Sequence, residues 1–503
     1  MTKLCCQFRV SVHISYITKF FIILIFCIKY KILFLFKNLK IFTPMHITLN
    51  LILKPVFLLT NTSCLRYKFT DADKEKSSIN LNEKEISSID ENIEECKKLK
   101  VLRCKNNKLK TFPESIGKLA GLEVIMADNN VITALPKSIF GMKSLCILSL
   151  INNRLSPEVL RLCKMNRLEI LILSYNKLDY LPPEIGNLKF LRILALRNTN
   201  LELIPPEIGK LSNLKFLFLQ SNKIVFLPEE ITRIKSLTRL HLDHNKLQFL
   251  PNGIGNLESL QVLHINHNML QFLPSEIGNL VNLVELKIKY NWLKFLPPEI
   301  GNLVKLKELE LGFNNLELLP AELGDIKSLR KLDLSENKFD FLHPRIGNLV
   351  GLVNLNLSSN RLKVLQPEIG NLINLEELEL NSNDLEFLPA WIGSFGSLRK
   401  LSLCHNEIMF LPPEIGNLMQ LVELKLNFNK LIVLPHEIGL LLSLESLILS
   451  NNLLRSLPFE IANLLGSLET LKIDKNSISD ENEEDGYLGK IQLRKLFPEA
   501  IYD

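Results

Sequence analysis

The sequence predicts a solenoid of the α/β class, bent into a horseshoe, with a parallel β-sheet on its concave face and short helical or irregular segments on its convex face. The first observation is a pattern of spaced leucines followed by asparagine, which recurs seventeen times with a step of 23 or 24 residues. A unit of that length cannot bury its own apolar residues, so its stability has to come from stacking. The second is composition: 47% of the 503 residues are hydrophobic and 23% are charged, which excludes a disordered chain.

Each unit begins with the pattern L-x-x-L-x-L-x-x-N-x-L. One full instance is Leu237, Leu240, Leu242, Asn245 and Leu247. Leucines that alternate with polar residues predict a short strand with one buried face. The asparagine follows where the chain turns, and its side chain can pair backbone groups that the turn leaves unsatisfied. Only the unit at Thr199 lacks this asparagine, and we expect a local weakness there.

The second half of each unit predicts a return segment with a short helical turn. Proline suits the first helical position, and glutamate suits the positive N-terminal end of the turn. This half is written LPPEIGNL at 181–188, 296–303 and 411–418. The two halves together resemble the leucine-rich repeat family, in the 23-residue subclass of Ras-group scaffolds and of bacterial proteins, notably from spirochaetes. The resemblance implies a protein-binding role, as a signalling adaptor or in host interaction.

Composition and the repeat divide the chain into four segments. Residues 1–63 are basic and hydrophobic, and are predicted to be a signal-like segment or the product of a mis-assigned start. Residues 64–75 are predicted to be a linker, and 76–478 an array of about 18 units whose first unit is degraded. Residues 479–503 are predicted to form a C-terminal cap in which Ile491, Leu493 and Leu496 reach the core.

The N-terminal segment decides the expected localisation. Its apolar run at 20–28 is too short for a membrane-spanning helix, which needs about 18 to 20 residues. Residues 45–63 read as a short signal peptide that ends at Cys64, a candidate lipidation site. Lipidation at Cys64, plain export and no processing all stay open. The protein would be exported or in the cell envelope in the first two cases and cytoplasmic in the third, and it would meet a membrane only through this segment or a lipid anchor.

Charge and motifs exclude several function classes. Residues 1–70 hold ten basic residues and no acidic one, whereas the rest of the chain holds 50 basic and 54 acidic residues. That mildly acidic body argues against nucleic acid as a partner, because phosphate binding needs clustered positive charge. The segments outside the repeats are short or signal-like, so no catalytic domain fits. We therefore predict no enzyme activity and no cofactor.

The intervening strand residues are predicted to point outward onto the concave face and to bind a protein or peptide ligand. An exposed apolar patch usually marks a protein interface. The predicted apolar contact residues are Val124, Met126, Ile147, Ile170, Ile172, Ile193, Phe216 and Phe218. The predicted polar contact residues are Arg239, His241, Asp243, His264, Lys287 and Glu310. The alternative is that the N-terminal extension folds back over the apolar patch.

Two further columns have both a structural and a functional interpretation. His241 and His264 share a strand position in neighbouring units, about 5 Å apart, with Asp243 between them in sequence. Duplication of a histidine column explains them, so no metal site is predicted and the two histidines are only weak candidates for one. A second column is predicted to stack along one edge of the solenoid. Its members are Phe226, Phe249, Phe272, Phe295, Phe341, Phe387 and Phe410. Were it instead a ligand-facing strip, it would suit an exported or lipid-anchored envelope protein that binds carbohydrate or envelope components.

Overall fold

The computed structural model describes residues 65–480 and 486–499. In nearly every unit a strand of three residues is followed by a turn and a short 3₁₀ helix. The strands are β1 (Arg66–Tyr67), β2 (Ser78–Asn80), β3 (Ser88–Ile89), β4 (Val101–Arg103), β5 (Val124–Met126), β6 (Ile147–Ser149), β7 (Ile170–Ile172), β8 (Ile193–Ala195), β9 (Phe216–Phe218), β10 (Arg239–His241), β11 (Val262–His264), β12 (Glu285–Lys287), β13 (Glu308–Glu310), β14 (Lys331–Asp333), β15 (Asn354–Asn356), β16 (Glu377–Glu379), β17 (Lys400–Ser402), β18 (Glu423–Lys425), β19 (Ser446–Ile448), β20 (Leu457–Pro458), β21 (Thr470–Lys472) and β22 (Tyr487–Leu488).

The helices between the strands are single short 3₁₀ segments, and two α-helices lie near the ends of the described chain. The 3₁₀ helices are Glu91–Glu95, Glu114–Lys118, Lys137–Gly141, Pro157–Lys164, Pro183–Asn187, Pro206–Lys210, Glu229–Arg233, Asn252–Asn256, Ser275–Asn279, Pro298–Asn302, Ala321–Asp325, Pro344–Asn348, Pro367–Asn371, Ala390–Ser394, Pro413–Asn417, His436–Leu440 and Phe459–Leu464. The α-helices are α1 (Asp71–Lys74) and α2 (Lys490–Leu496).

Eighteen of the described strands form one long parallel sheet, which confirms the predicted α/β solenoid. The sheet runs from β2 to β21 and is open, since β2 pairs only with β4 and β21 only with β19. Each strand pairs with the equivalent strand of the next unit, so that Leu240 lies opposite Leu263 and Leu263 opposite Leu286. Equivalent residues of successive units therefore form columns along the sheet.

The core is a column of leucines and isoleucines behind the sheet. The central residue of each strand of the long sheet, a leucine or an isoleucine, is buried, as are Ile300 and Leu303 of a typical return segment. Adjacent return segments lie so close that a Cβ on Gly301 would sit 2.4 Å from the carbonyl oxygen of Glu322 in the next unit. This contact explains the glycine that recurs in the EIGN stretch.

The asparagine column forms the predicted ladder. The Oδ1 atom of Asn245 accepts the backbone N–H of Ile224 at 3.0 Å, and its Nδ2 group donates to the carbonyl oxygens of Leu219 and Leu242, both at 2.9 Å. The residue before each ladder position has a left-handed backbone, with φ between 52° and 61°. Each asparagine thus joins its own turn to the preceding unit.

The unit at Thr199 makes up for its missing asparagine through the backbone. The Thr199 hydroxyl donates to the carbonyl oxygen of Leu196 at 2.7 Å. The hydroxyl does not accept the backbone N–H of Leu178 in the preceding unit, as the asparagine side chain would. That N–H is bonded instead to the backbone carbonyl oxygen of Thr199 at 3.1 Å. Asp179 and Asn200 take additional left-handed conformations to permit this. The expected weakness is therefore not visible as an unpaired N–H at this unit.

Both ends of the array carry structure beyond the repeats. Strand β1 and helix α1 lie within the segment for which the sequence predicts a linker, and β1 pairs with β3. At the other end Leu493 of α2 is buried and Leu496 packs against the core. The prediction that Ile491 reaches the core is wrong, because its side chain is 44% exposed.

Several predictions fall on residues outside the described ones. These are the signal-like segment 1–63, lipidation at Cys64 and coverage of the apolar patch by the N-terminal extension. Within residues 65–480 and 486–499, no helix is both long enough and apolar enough to cross a bilayer.

Candidate functional site

Two columns of side chains cover the face of the sheet opposite the leucine core. They come from the first and third residues of each strand. In the first column Val124, Ile147, Ile170, Ile193 and Phe216 follow one another in register across β5 to β9. Five neighbouring units thus present only aliphatic or aromatic side chains in this column.

The third strand residues complete a patch on the same five strands. They are Met126, Ser149, Ile172, Ala195 and Phe218. We call the ten residues of these two columns the apolar patch. Most of its large side chains are half-buried, as expected for a sheet face, but Met126 is only 8% exposed and offers little surface. The half-buried Val101 of β4 precedes Val124 in the same column, so the apolar column begins one unit earlier than predicted.

Two phenylalanines mark the end of the apolar patch. The rings of Phe216 and Phe218 are nearly parallel, with centroids 6.5 Å apart. The ring of Phe218 also lies 5.1 Å from the ring of His241 on the next strand. Arg239 follows Phe216 in the first column and is exposed. The face therefore changes from apolar to polar between β9 and β10.

From β12 to β14 the face is charged, and many of its charges pair with one another. Lys287 Nζ lies 2.6, 3.4 and 3.7 Å from carboxylate oxygens of Glu285, Glu308 and Glu310. Lys331 lies 2.6 Å from Glu310, which is only 9% exposed. Lys287 and Glu310 lie opposite each other on adjacent strands, so this pair joins β12 to β13. The two predicted polar contacts Lys287 and Glu310 are thus engaged within the sheet.

The ion pairs shift the pKa values of the half-buried groups Glu285 and Lys287. Contacts with His264 and Lys287 hold the pKa of Glu285 well below its usual range. Burial alone would lower the pKa of Lys287, but the surrounding carboxylates outweigh it and raise the pKa. Glu379 makes no ion pair among the described residues, and its partial desolvation, together with the nearby Glu377, raises its pKa. In this half of the face, opposite charges are therefore paired around Lys287, whereas the charge of Glu379 is not balanced by an ion pair.

The predicted histidine pair is brought together at the junction of the two halves. His241 and His264 lie opposite each other on β10 and β11, with ring centroids 4.3 Å apart. Burial, followed by the nearby His264 and Arg239, lowers the pKa of His241 to about 3. Asp243 lies within reach of both rings. The Asp243 carboxylate, which lies between the two histidines in sequence, is therefore also close to them in space.

The predicted phenylalanine column does not stack. Its members are 45 to 60% exposed, and within the described residues no ring contact joins neighbours in this column. A different column does stack: His244, His267, Tyr290 and Phe313 lie with successive ring centroids 4.0 to 4.1 Å apart and interplanar angles of 10 to 13°. These residues occupy the left-handed position before the ladder asparagine. Reading that position every 23 residues would have revealed the column.

Known families and structures agree with this architecture. The family model described as a leucine-rich repeat region matches residues 156–246 and 239–341, and that described as a leucine rich repeat matches residues 350–408. A solved leucine-rich repeat protein of Leptospira interrogans is 36% identical, with a TM-score of 0.68, over 78% of this chain and 93% of that one. Comparison with curated protein sequences yields no significant match.

Two plant receptor structures are also similar. One is the leucine-rich repeat ectodomain of the membrane receptor kinase GASSHO1/SCHENGEN3 from Arabidopsis thaliana, in complex with CASPARIAN STRIP INTEGRITY FACTOR 2. It is 31% identical, with a TM-score of 0.52, over 80% of this chain and 56% of that one. The other is the Arabidopsis receptor kinase HAESA in complex with the peptide hormone IDA and the co-receptor SERK1. It is 25% identical, with a TM-score of 0.57, over 80% of this chain and 78% of that one.

Proposed function

This chain belongs to the leucine-rich repeat family, and from that premise we propose that it is a non-enzymatic scaffold that binds a protein or peptide on the concave face of its sheet. The apolar patch would supply most of the affinity, and the charged half would supply orientation and selectivity. The role would be that of an adaptor or of a host-interaction protein.

The observation that carries the proposal is the contrast between the two halves of one face. From β12 to β14 the outward side chains form ion pairs with one another. From β5 to β9 the outward side chains are apolar except for Ser149, and all but Met126, Ser149 and Ala195 are half-buried. A continuous apolar surface on an otherwise polar sheet indicates a contact with another macromolecule.

Similar proteins support a ligand of this class. The GASSHO1/SCHENGEN3 ectodomain and HAESA were both solved with bound partners, and the partner of HAESA includes a peptide hormone. Repeats of this fold typically act as binding scaffolds and not as catalysts.

The test replaces the two aromatic side chains at the end of the patch. Phe216→Asp with Phe218→Asp places charge on one strand, on either side of the buried Leu217, and opens no core cavity. Loss of two aromatic anchors costs about 2 kcal/mol each at an interface hot spot, which together is roughly three orders of magnitude in Kd. Proteins captured from a native lysate by the wild-type chain are identified, and the Kd of the purified partner is then measured for each variant.

The matched control lies on the same face in the charged half. Lys400→Ala with Lys425→Ala removes two lysines that are at least one-third exposed and are paired with neighbouring glutamates. Such pairs contribute about 1 kcal/mol or less, so binding should change less than tenfold. Lys287 is a poorer control, because its removal would leave three carboxylates together. Retained binding in the aspartate variant with lost binding in the lysine variant would place the interface in the charged half. Unfolding of the aspartate variant would mean that the patch is internal.

The exposed phenylalanine column favours a second candidate function. In this alternative the chain is an envelope protein that binds carbohydrate. Exposed aromatic faces can stack on apolar faces of ligands, and Phe295 is 60% exposed. Glycan binding by the wild-type chain that is lost in Phe272→Ala with Phe295→Ala would support this candidate. It would be rejected if the wild type bound protein partners but no glycan.

A further inference from the structure

Three metal-ligating side chains converge at the junction between the apolar and the charged halves of the concave face. His241 of β10 lies opposite His264 of β11, and Asp243 follows His241 by two residues. One ligating atom from each residue lies within 4.8 Å of those of the other two. A tetrahedral zinc ion with bonds of about 2.0 to 2.1 Å separates its ligands by roughly 3.4 Å, so small side-chain rotations would close the site.

One histidine nitrogen points to a missing ligand. The Nε2 atom of His241 is buried and has no hydrogen-bond partner among the described residues. A buried polar atom without a partner is costly and is rare in native structures. An ion shared with His264 would give the His241 ring a role that no neighbouring protein group supplies.

The surroundings orient the candidate ligands. Nε2 of His264 lies 3.0 Å from Oε1 of Glu285, which is the carboxylate–histidine contact found behind many metal ligands and leaves Nδ1 for the ion. The carboxylate of Asp243 is fixed through Oδ1, which accepts the backbone N–H of Asn266 at 2.9 Å. The ring of Phe218 covers His241 from the side of β9.

We propose that His241, His264 and Asp243 form a binding site for a divalent transition metal of the zinc type. Imidazole and carboxylate ligands suit this class of ion. Three protein ligands leave one coordination position open toward the concave face, where water or a group from a ligand can bind. Glu285 acts behind His264 as a positioning residue, since it is also paired with Lys287 at 2.6 Å. This inference does not depend on the proposed function.

A second histidine pair in the same two units provides a matched control. His244 and His267 also come from adjacent units, but their rings are exposed and stacked face to face, 4.1 Å apart. They belong to the column that continues to Tyr290 and not to the three-ligand cluster. Changing them alters the histidine content of the chain equally while leaving the proposed site intact.

The experiment titrates the metal-free full chain with Zn²⁺ by calorimetry and with Co²⁺ by visible absorption. We expect one high-affinity ion per chain, a tetrahedral Co²⁺ spectrum without thiolate charge-transfer bands, and a higher unfolding temperature in Zn²⁺. His241→Gln and His264→Gln should each abolish the high-affinity site, and Glu285→Gln should weaken it roughly tenfold to a hundredfold. His244→Gln with His267→Gln should leave binding unchanged.

Several results would overturn the assignment. These are the absence of binding, binding that survives His241→Gln and His264→Gln, binding lost in the control pair, and a thiolate signature that would place the ion on cysteines. If a glutamine variant fails to fold, X-ray absorption of the zinc-loaded wild type decides, because the site requires two imidazole ligands with oxygen and no sulfur. A coordination shell of any other composition would refute it.

Discussion

Replacing Asn291 with alanine tests whether the asparagine ladder holds neighbouring units together. The Oδ1 atom of Asn291 accepts the backbone N–H of Leu270, in the preceding unit, at 3.0 Å. Its Nδ2 group donates to three carbonyl oxygens at 2.9, 3.3 and 3.2 Å, namely those of Ile265, Ile288 and Lys289. Alanine removes all four bonds and leaves the strand and its leucines in place.

The cost follows from which groups keep another partner. Each of the three carbonyl oxygens keeps a second donor. The oxygen of Ile265 keeps the Asn268 side chain, that of Ile288 keeps the Asn314 side chain, and that of Lys289 keeps the backbone N–H of His267. The N–H of Leu270 has no other acceptor among the described residues. One buried unpaired donor costs about 1 to 3 kcal/mol and the lost shared bonds add to it, so we expect a loss of about 2 to 4 kcal/mol.

The assay is hydrogen exchange followed by mass spectrometry, combined with urea unfolding. Amide protection should fall first in peptides around Leu270 and Asn291, because repeats couple mainly to their neighbours. Thr199→Ala is the matched control, since it removes a hydroxyl that donates to the carbonyl oxygen of Leu196 at 2.7 Å and lies 3.1 Å from Oδ1 of Asn222. Both oxygens have another donor, so the change should cost about 1 kcal/mol or less. Equal losses in the two variants, or a uniform loss of protection over the whole array, would refute the reasoning.

Two further predictions concern the stacking of units and the N-terminal end. Gly301→Ala should destabilise the array by about 1 to 3 kcal/mol in thermal unfolding, because the new Cβ would meet the carbonyl oxygen of Glu322. Gly396→Ala is the control: a Cβ at this position would meet open space, so stability should change by less than about 1 kcal/mol. Burial would raise the pKa of Asp73, but hydrogen bonds from Lys76 and Thr70 outweigh it and lower the pKa to about 2. The stabilisation from Asp73, roughly 2 kcal/mol at most, should be complete above about pH 4 and lost as the pH falls toward 2. Asp73→Asn should remove this pH dependence of hydrogen-exchange protection in residues 66–95. A pH profile that is unchanged in the variant would contradict the prediction.

Counting in steps of 23 residues predicts the core, the turn and the outward columns, because units in register bring equivalent residues side by side. That is why Leu309 and its equivalents are buried, and why Asn245 and its equivalents form a ladder. The same counting places Phe216 and His241 on one face of the sheet. Most of the fold and the position of the candidate site are therefore readable from the sequence.

Equivalence of position does not decide which way a side chain points or how far it is covered. Tyr290 and Phe313 stack because both follow a strand in the same left-handed backbone, which aims their rings alike at nearly the strand spacing. Phe272 and Phe295 also occupy equivalent positions, but their rings make no contact with each other and remain exposed. The burial of Met126 likewise depends on its neighbours in space, which the repeat pattern does not specify.

The division of the concave face also bears on how a partner would be held. A partner that bound at Lys287 would compete with three carboxylates already in contact with it, so the net gain there would be small. A partner that bound at Ile193 or Phe216 would displace only water from apolar surface, which is favourable in proportion to the area covered. The charged half would then mainly steer and orient the partner, and changes there should affect association rate and salt dependence more than dissociation. Because His241, His264 and Asp243 lie where the two halves meet, an ion bound by them would contact a partner held by either half.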